Sequence, residues 1–156
     1  MIEDKSIAKA TLYFNFYVFQ ALKKAGFGSE ILPQLKQWQE FIDYGFTTFP
    51  EHGVNSRSDC HAWSSHPMVG LLEITCGITP ATPGFKHVLI EPQLGELTTI
   101  EGSVIHPSGK IITRYQKEQN GTLKCEIELP GDLTGTFVWN EKSYPLKGGV
   151  NNYLCE

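Results

Sequence analysis

The pattern of apolar and polar positions divides the chain into a helical N-terminal part and a β-patterned C-terminal part. Over residues 6–25, apolar side chains recur at steps of three and four, which predicts a helix. They form two stripes, and a helix that is apolar on two faces is normally buried between layers. One stripe comprises Ile7, Ala10, Phe14, Val18 and Ala21, and the other comprises Leu12, Phe16 and Phe19.

Two further helices are predicted from the same periodicity. The second follows Gly28 and ends before Gly45, with Ile31, Leu35, Trp38 and Ile42 on one face. The third begins at Pro67, because proline suits the first turn of a helix. Its predicted buried face comprises Met68, Leu71, Leu72 and Ile74, and Gly77 ends it.

From Phe85 onward the period changes to two, which is the spacing of strands. The predicted strands cover residues 87–91, 98–106, 110–117, 122–129, 134–139 and 151–154. Asn120-Gly121 is a strong hairpin signal between two of them. Short strands with such turns predict a small antiparallel β-sandwich, so the fold class is α+β, with helices before a sandwich.

Composition and charge narrow the classes of function. Charged residues make up 19% of the chain, below the usual level of about a quarter, which indicates surface buried against something else. The net charge is −4 and no basic run occurs, so nucleic acid is not an expected partner. The apolar stretch 12–19 is too short to span a bilayer, so no membrane association is expected. The first residues lack the pattern of a signal peptide, and the compartment stays open.

The cysteines do not indicate a metal or a disulfide framework. Cys60, Cys76, Cys125 and Cys155 are widely spaced, without a Cys-x-x-Cys pair. We therefore predict buried, reduced thiols and no metal site. Gly26 to Gly28 does not form a phosphate loop, and no cofactor is expected.

The polar stretch 47–67 contains the groups that could carry chemistry. Glu51 lies among hydrogen-bonding residues, as a general base would, although a solvated loop glutamate is the commoner case for such a residue alone. His61 and Trp63 suit a sugar site, where an aromatic face covers C–H surface, or else they are a core tryptophan and a capping histidine. Arg57 with Asp59 is either a substrate clamp or a loop salt bridge.

Other arrangements are weaker. Ser58, Ser64 and Ser65 lie near His61, but the chain has no G-x-S-x-G nucleophile elbow. In the C-terminal part, Trp139 and Tyr144 could form a sugar-binding platform, although aromatic residues at strand spacing more often pack in a core.

Three runs of sequence together resemble the C-terminal part of the bacterial α-L-rhamnosidases of glycoside hydrolase family 78. They are Gly-Phe-Thr-Thr-Phe-Pro-Glu at 45–51, Ser-Asp-Cys-His-Ala-Trp-Ser at 58–64, and the Gly- and Pro-containing run 77–92. The resemblance covers nearly the whole chain. It implies that residues 1–84 are the last helices of an (α/α)6 catalytic barrel and that residues 85–156 are the β-sandwich that follows it. A complete barrel would cover the first helix on both faces.

The resemblance also implies roles for individual residues. Glu51 is the expected general base, His61 and Trp63 are expected to contact rhamnose, and Asp59 and Arg57 are expected to be neighbouring substrate-binding residues. Family members invert the anomeric centre, which needs two carboxyl groups roughly 6.5–9.5 Å apart with a water between them. This chain departs from the family at Pro50, where many members carry tryptophan. The family's general acid lies upstream, outside this chain.

The expected function is therefore part of a glycoside hydrolase that releases terminal α-L-rhamnose from an oligosaccharide or glycoside. The missing N-terminal part of the barrel is an expected partner, and we expect the isolated chain to be inactive. Two alternatives stay open: a non-catalytic carbohydrate-binding or interaction module, and a related (α/α)6 glycosidase that acts on another sugar. The resemblance is to bacterial enzymes, and the compartment, cytoplasmic or periplasmic and secreted, depends on the missing N-terminus.

Overall fold

A computed structural model describes residues 8–156, which form two compact units that divide between Gly70 and Leu71. Ser6 and Ile7, at the start of the first predicted helix, lie outside the described residues. The predicted division between residues 84 and 85 rests on the family's barrel and sandwich, and it stays a prediction. The fold class is confirmed, since helices precede two sheets of mainly antiparallel strands.

The first helix, α1, runs over Leu12–Lys24. The Thr11 hydroxyl caps it by accepting a hydrogen bond from the Phe14 N–H at 3.3 Å. Lys23 and Lys24 lie in the last turn, where positive charge complements the helix dipole. No helix within residues 8–156 has both the length and the apolar character needed to cross a membrane.

The second predicted helix is broken into three short elements. A 3₁₀ turn covers Gly28–Glu30, α2 covers Ile31–Gln34, and α3 covers Lys36–Asp43. The third predicted helix is likewise shorter: α4 covers His66–Gly70, and a π-helical turn, Leu71–Thr75, follows it in sequence.

The N-terminal unit buries only part of what the helical periodicity predicts. Its buried apolar side chains are Leu12, Phe19, Ile31, Trp38 and Phe41. Several side chains that were predicted to be buried are instead exposed, among them Phe14 (58%), Phe16 (36%), Ile42 (63%) and Met68 (60%). On α1, Leu12 and Phe19 therefore pack within the unit, whereas Phe14 and Phe16 remain exposed.

The C-terminal unit contains eight strands: β1 (Ile78–Pro80), β2 (His87–Ile90), β3 (Thr99–His106), β4 (Gly109–Lys117), β5 (Leu123–Leu129), β6 (Thr134–Trp139), β7 (Lys142–Leu146) and β8 (Gly149–Cys155). They form two four-stranded sheets, in the orders β1-β2-β6-β7 and β3-β4-β5-β8. All neighbours pair antiparallel except β2 and β6, which are parallel.

The two sheets share one apolar core, as in a sandwich. Along β5, Leu123, Cys125, Ile127 and Leu129 are buried and alternate with more exposed residues, as predicted. Core residues from the other sheet include Val88, Ile90, Phe137 and Leu146.

The periodicity missed two of the eight strands, β1 and β7. Both contain a proline, Pro80 in β1 and Pro145 in β7, and both lie at the edges of their sheet. Proline has no backbone N–H to donate to a neighbouring strand, so it is tolerated mainly on edge strands. A proline in a run of residues therefore weakens the prediction of a strand.

Gly77 connects the π-helical turn to the sandwich at a position that only glycine can occupy. Its φ is +77°, and an added Cβ would lie 2.3 Å from the carbonyl carbon of Glu91. The signal that predicted a helix stop therefore also reflects close backbone packing.

The four cysteines are free, but their predicted burial is wrong for Cys60, which is exposed. Cys76, Cys125 and Cys155 are buried in the sandwich core. Burial and the neighbouring Cys155 raise the pKa of the Cys125 thiol to about 12. These three side chains therefore act as small apolar core residues.

Candidate functional site

The predicted site lies on a folded-back loop that connects α3 to α4. The Glu51 N–H donates to the Ser58 carbonyl at 2.8 Å, and the His61 N–H donates to the Phe49 carbonyl at 2.7 Å. The segment that carries Glu51 therefore runs beside the segment that leads to His61. Residues ten positions apart in sequence become neighbours without regular secondary structure.

Glu51 is a buried carboxylate with one strong partner. Its side chain is 1% exposed, and Arg57 binds both of its oxygens. Arg57 Nε donates to Oε2 and Nη2 donates to Oε1, each at 2.7 Å. This bidentate geometry is the strong form of a carboxylate–guanidinium pair. It also excludes the solvated loop glutamate that the residue alone favoured.

The environment of Glu51 keeps it ionised. The hydrogen bonds from Arg57 lower the pKa of the Glu51 carboxyl, and burial opposes them. The charges of Arg57, His52 and His61 add to the lowering. The same pair raises the pKa of Arg57. Glu51 is therefore a carboxylate at neutral pH, the protonation state that a base needs before reaction.

Trp63 and His61 lie directly beside this carboxylate segment. The Trp63 Nε1–H donates to the Glu51 backbone carbonyl at 3.0 Å. The His61 and Trp63 ring centroids are 4.1 Å apart, and Tyr13 of α1 lies 5.5 Å from the indole. Trp63 is 36% exposed, so it is not a core tryptophan, and the His61 side chain makes no capping hydrogen bond to the 3₁₀ turn Ala62–Ser65 that follows it.

Arg57 and Asp59 do not pair within residues 8–156, contrary to the salt bridge considered above. Arg57 binds Glu51 instead, with its own side chain 81% exposed. Asp59 is exposed, and its backbone carbonyl accepts a hydrogen bond from the Thr48 hydroxyl. The structure thus brings four of the five predicted residues together, whereas Asp59 takes part through its backbone carbonyl.

Sequence reasoning missed two residues that support the site. Ser64 is fully buried, and its hydroxyl lies 2.7 Å from the Pro50 carbonyl and 2.9 Å from the His61 carbonyl. Trp38 of α3 donates its Nε1–H to the Ser64 carbonyl at 2.7 Å. Periodicity assigned Trp38 to a helix face, and Ser64 was considered only as a nucleophile, so neither carried a signal for this role.

Comparison with known proteins identifies the domain family of the C-terminal part of the chain. Residues 77–153 match the model of the bacterial α-L-rhamnosidase C-terminal domain. Those residues belong to that domain family. The sequence-based resemblance to the C-terminal part of family 78 α-L-rhamnosidases is confirmed, because solved rhamnosidases share the fold of most of the chain.

Three relatives illustrate the extent of the rhamnosidase likeness. A family 78 rhamnosidase of Bacillus sp. GL1 is 29% identical with a TM-score of 0.77, over 84% of this chain and 15% of its own. The α-L-rhamnosidase of Dictyoglumus thermophilum is 17% identical with a TM-score of 0.80, over 93% of this chain and 21% of its own. The α-L-rhamnosidase of Alteromonas sp. (strain LOR) is 32% identical over 82 residues, which is 46% of this chain and 9% of that protein.

The chain therefore spans only a small part of the length of these rhamnosidases. One other sequence match, 27% identical over 78 residues, is to large ribosomal subunit protein uL15 of Chlamydia abortus. It carries no weight here, because the family model and the solved structures agree on the rhamnosidases.

Proposed function

We propose that this chain is the C-terminal part of an inverting α-L-rhamnosidase and that Glu51 is its general base. The observation that carries the proposal is a buried, ionised carboxylate beside a histidine–tryptophan pair. Glu51 is 1% exposed, and the Trp63 indole donates to its backbone. Sugar sites combine such an aromatic surface with groups that can move a proton or bind hydroxyls.

In this proposal the roles follow from the contacts. The Glu51 carboxylate takes a proton from a water, whose oxygen attacks the anomeric carbon of a terminal rhamnose. The His61 imidazole offers a hydrogen bond to a sugar hydroxyl, and the Trp63 indole covers apolar C–H surface. Arg57, which is largely exposed, holds the carboxylate ionised and can also reach a ligand. Asp59 is proposed as an outer substrate contact, because its side chain is exposed two residues after Arg57 in the same loop.

The proposal requires a second carboxyl group as general acid. We propose that it lies in the preceding part of the parent protein, together with the other helices of an (α/α)6 barrel. The isolated chain would then bind rhamnose-containing glycosides weakly at best and would not hydrolyse them. The exposed aromatic residues of α1, Tyr13, Phe14 and Tyr17, support a missing helical partner, since exposed apolar patches commonly mark interfaces.

The alternative of a non-catalytic carbohydrate-binding module receives less support. Its proposed platform was Trp139 and Tyr144, but both pack against the sandwich core. The Trp139 Nε1 atom is itself buried. Both residues are therefore partly buried, as aromatic residues that pack against a core are.

The deciding experiment places Glu51→Gln in the longest available parent protein. We expect kcat on an aryl α-L-rhamnoside to fall by about 10²–10⁴-fold, while rhamnose binding is retained. Glu40→Gln, the same change at an exposed position on α3, is the matched control and should leave kcat unchanged. Equal rates for the two variants would favour the binding module.

A panel of aryl glycosides separates rhamnosidase activity from the activity of a related glycosidase. We expect the parent protein to hydrolyse the α-L-rhamnoside in preference to the other sugars. Preference for another sugar would contradict the proposal that rhamnose is the substrate, but not the proposal that Glu51 is the general base.

A further inference from the structure

One hydroxyl group joins the two segments of the candidate site. The Ser64 Oγ lies 2.7 Å from the carbonyl of Pro50, the residue before Glu51, and 2.9 Å from the carbonyl of His61. A hydroxyl has one proton to donate, so the two carbonyls share it. Ser64 is fully buried, where unpaired carbonyls would be costly.

Ser64 is itself attached to the helical scaffold from the other side. Its backbone carbonyl accepts the Trp38 Nε1–H at 2.7 Å. Trp38 is buried in α3, and its ring contacts His66 and Phe19 edge-on or tilted, with centroids 5.2 and 6.4 Å away. The backbone of Ser64 is therefore anchored independently of its hydroxyl.

Trp63, the residue before Ser64, binds the backbone carbonyl of Glu51, which follows Pro50 in the same segment. The Trp63 indole donates to the Glu51 carbonyl at 3.0 Å, while Ser64 donates to that of Pro50. Two consecutive side chains thus bind two consecutive carbonyls, which leaves the Glu51 segment little freedom to rotate or slide.

We propose that Ser64 is a positioning residue, which holds the Glu51 segment at a fixed distance from the His61 and Trp63 rings. Its hydroxyl binds backbone carbonyls, so it acts on the Glu51 segment through the backbone. The catalytic consequence rests on the proposed function, whereas the positioning itself does not.

Hydrogen exchange of the indole N–H groups, measured by NMR on the 156-residue chain, tests the positioning directly. Ser64→Ala removes the hydroxyl but keeps the carbonyl that binds Trp38. We expect the Trp63 indole hydrogen to exchange about tenfold faster, the change that corresponds to one buried hydrogen bond of ordinary strength. Trp38 and Trp139 should keep their rates.

Ser65→Ala is the matched control. It removes the same group one residue later, where the hydroxyl binds only the Ala62 carbonyl within the 3₁₀ turn. This variant should leave the Trp63 rate unchanged. Equal acceleration of all three indoles in Ser64→Ala, or no acceleration, would overturn the proposal.

Ser64→Thr keeps the hydroxyl and decides the matter if Ser64→Ala does not fold. Slow Trp63 exchange in the folded threonine variant supports positioning, and fast exchange refutes it. In the parent protein, Ser64→Ala should lower kcat by about 10- to 100-fold with a smaller change in KM, as misplacement of a catalytic group does. If Glu51→Gln shows that Glu51 is not the base, the indole rates still decide the role of Ser64.

Discussion

The two units differ in how completely each closes its own apolar core. In the C-terminal unit, buried side chains from both sheets meet in a single cluster that includes Ile111, Ile127 and Phe137. Its exposed large apolar residues are scattered singly, at Ile105, Val150 and Leu154. In the described part of the N-terminal unit, the exposed set is larger and mostly aromatic: Tyr13, Phe14, Phe16, Tyr17, Phe27, Ile42, Tyr44, Val54, Trp63, Met68 and Val69.

The C-terminal unit buries its apolar side chains by itself, whereas the N-terminal unit leaves apolar side chains exposed that a neighbouring part of a protein could cover. Two packed sheets bury their inner faces against each other. In the described part of the N-terminal unit, α1 keeps Tyr13, Phe14, Phe16 and Tyr17 exposed. The candidate site lies on the N-terminal unit. This supports the proposal that a functional pocket also needs residues from the preceding part of the parent protein.

The largest effect is expected inside the sandwich. Ile127→Ala, at a fully buried position of β5, should lower the free energy of unfolding of the C-terminal unit by about 2–5 kcal/mol. Ile105→Ala, at a position that is 72% exposed on β3, should change it by no more than about 0.5 kcal/mol. Chemical denaturation followed by circular dichroism measures both. Similar losses would mean that the core is not closed as described.

The units should also respond to pH in opposite directions. In the N-terminal unit, burial lowers the pKa of His66 below its ordinary 6.5. As pH falls below 6.5, the unfolded chain therefore binds a proton at this residue more readily than the folded chain does. Stability is therefore present above pH 6.5 and lost as pH falls. The lowered pKa of Glu51 adds a loss of the same sign at lower pH, below its ordinary 4.5.

The acid response is tested with His66→Phe, which keeps an aromatic ring among Phe16, Phe19 and Trp38. When its unfolding is followed by tryptophan fluorescence, this variant should lose less stability between pH 6.5 and 5 than the wild type does. An unchanged slope would show that His66 is not the group responsible.

In the C-terminal unit the loss comes on the alkaline side. The Cys125 thiol has a pKa of about 12 in place of an ordinary 9.0, so its contribution is present below pH 9 and is lost as pH rises toward 12. Burial also raises the pKa of Tyr115, so its contribution to stability is likewise lost on the alkaline side. Cys125→Ala should therefore reduce the loss of stability between pH 9 and 12. Cys60→Ala, at an exposed thiol, should leave that loss unchanged.

The smallest effect is expected on the exposed face of α1. Phe14→Ser, at a position that is 58% exposed, should change the stability of this chain by no more than about 0.5 kcal/mol while lowering its binding of a hydrophobic dye. In the parent protein the same variant should be clearly destabilising. A large loss in the isolated chain would mean that Phe14 is packed within the N-terminal unit.

Periodicity was most informative where the elements pack against something within the chain. The alternation in β5 and the hairpin signal at Asn120-Gly121 predicted strands that the structure contains, because side-chain burial there follows a period of two. It failed at β1 and β7, where proline on edge strands hides the pattern. It also overstated burial on α1, since the sequence of a helix does not tell which neighbours are present.

The sequence by itself determined the order of helices and sandwich, and its motifs identified the family and the residues of the candidate site. Only the tertiary structure decided how those residues are connected. The Glu51–Arg57 pair and the Ser64 hydrogen bonds join positions 6 and 14 residues apart across an irregular loop. No sequence period describes such a loop, because its path is set by individual backbone hydrogen bonds rather than by repeated burial.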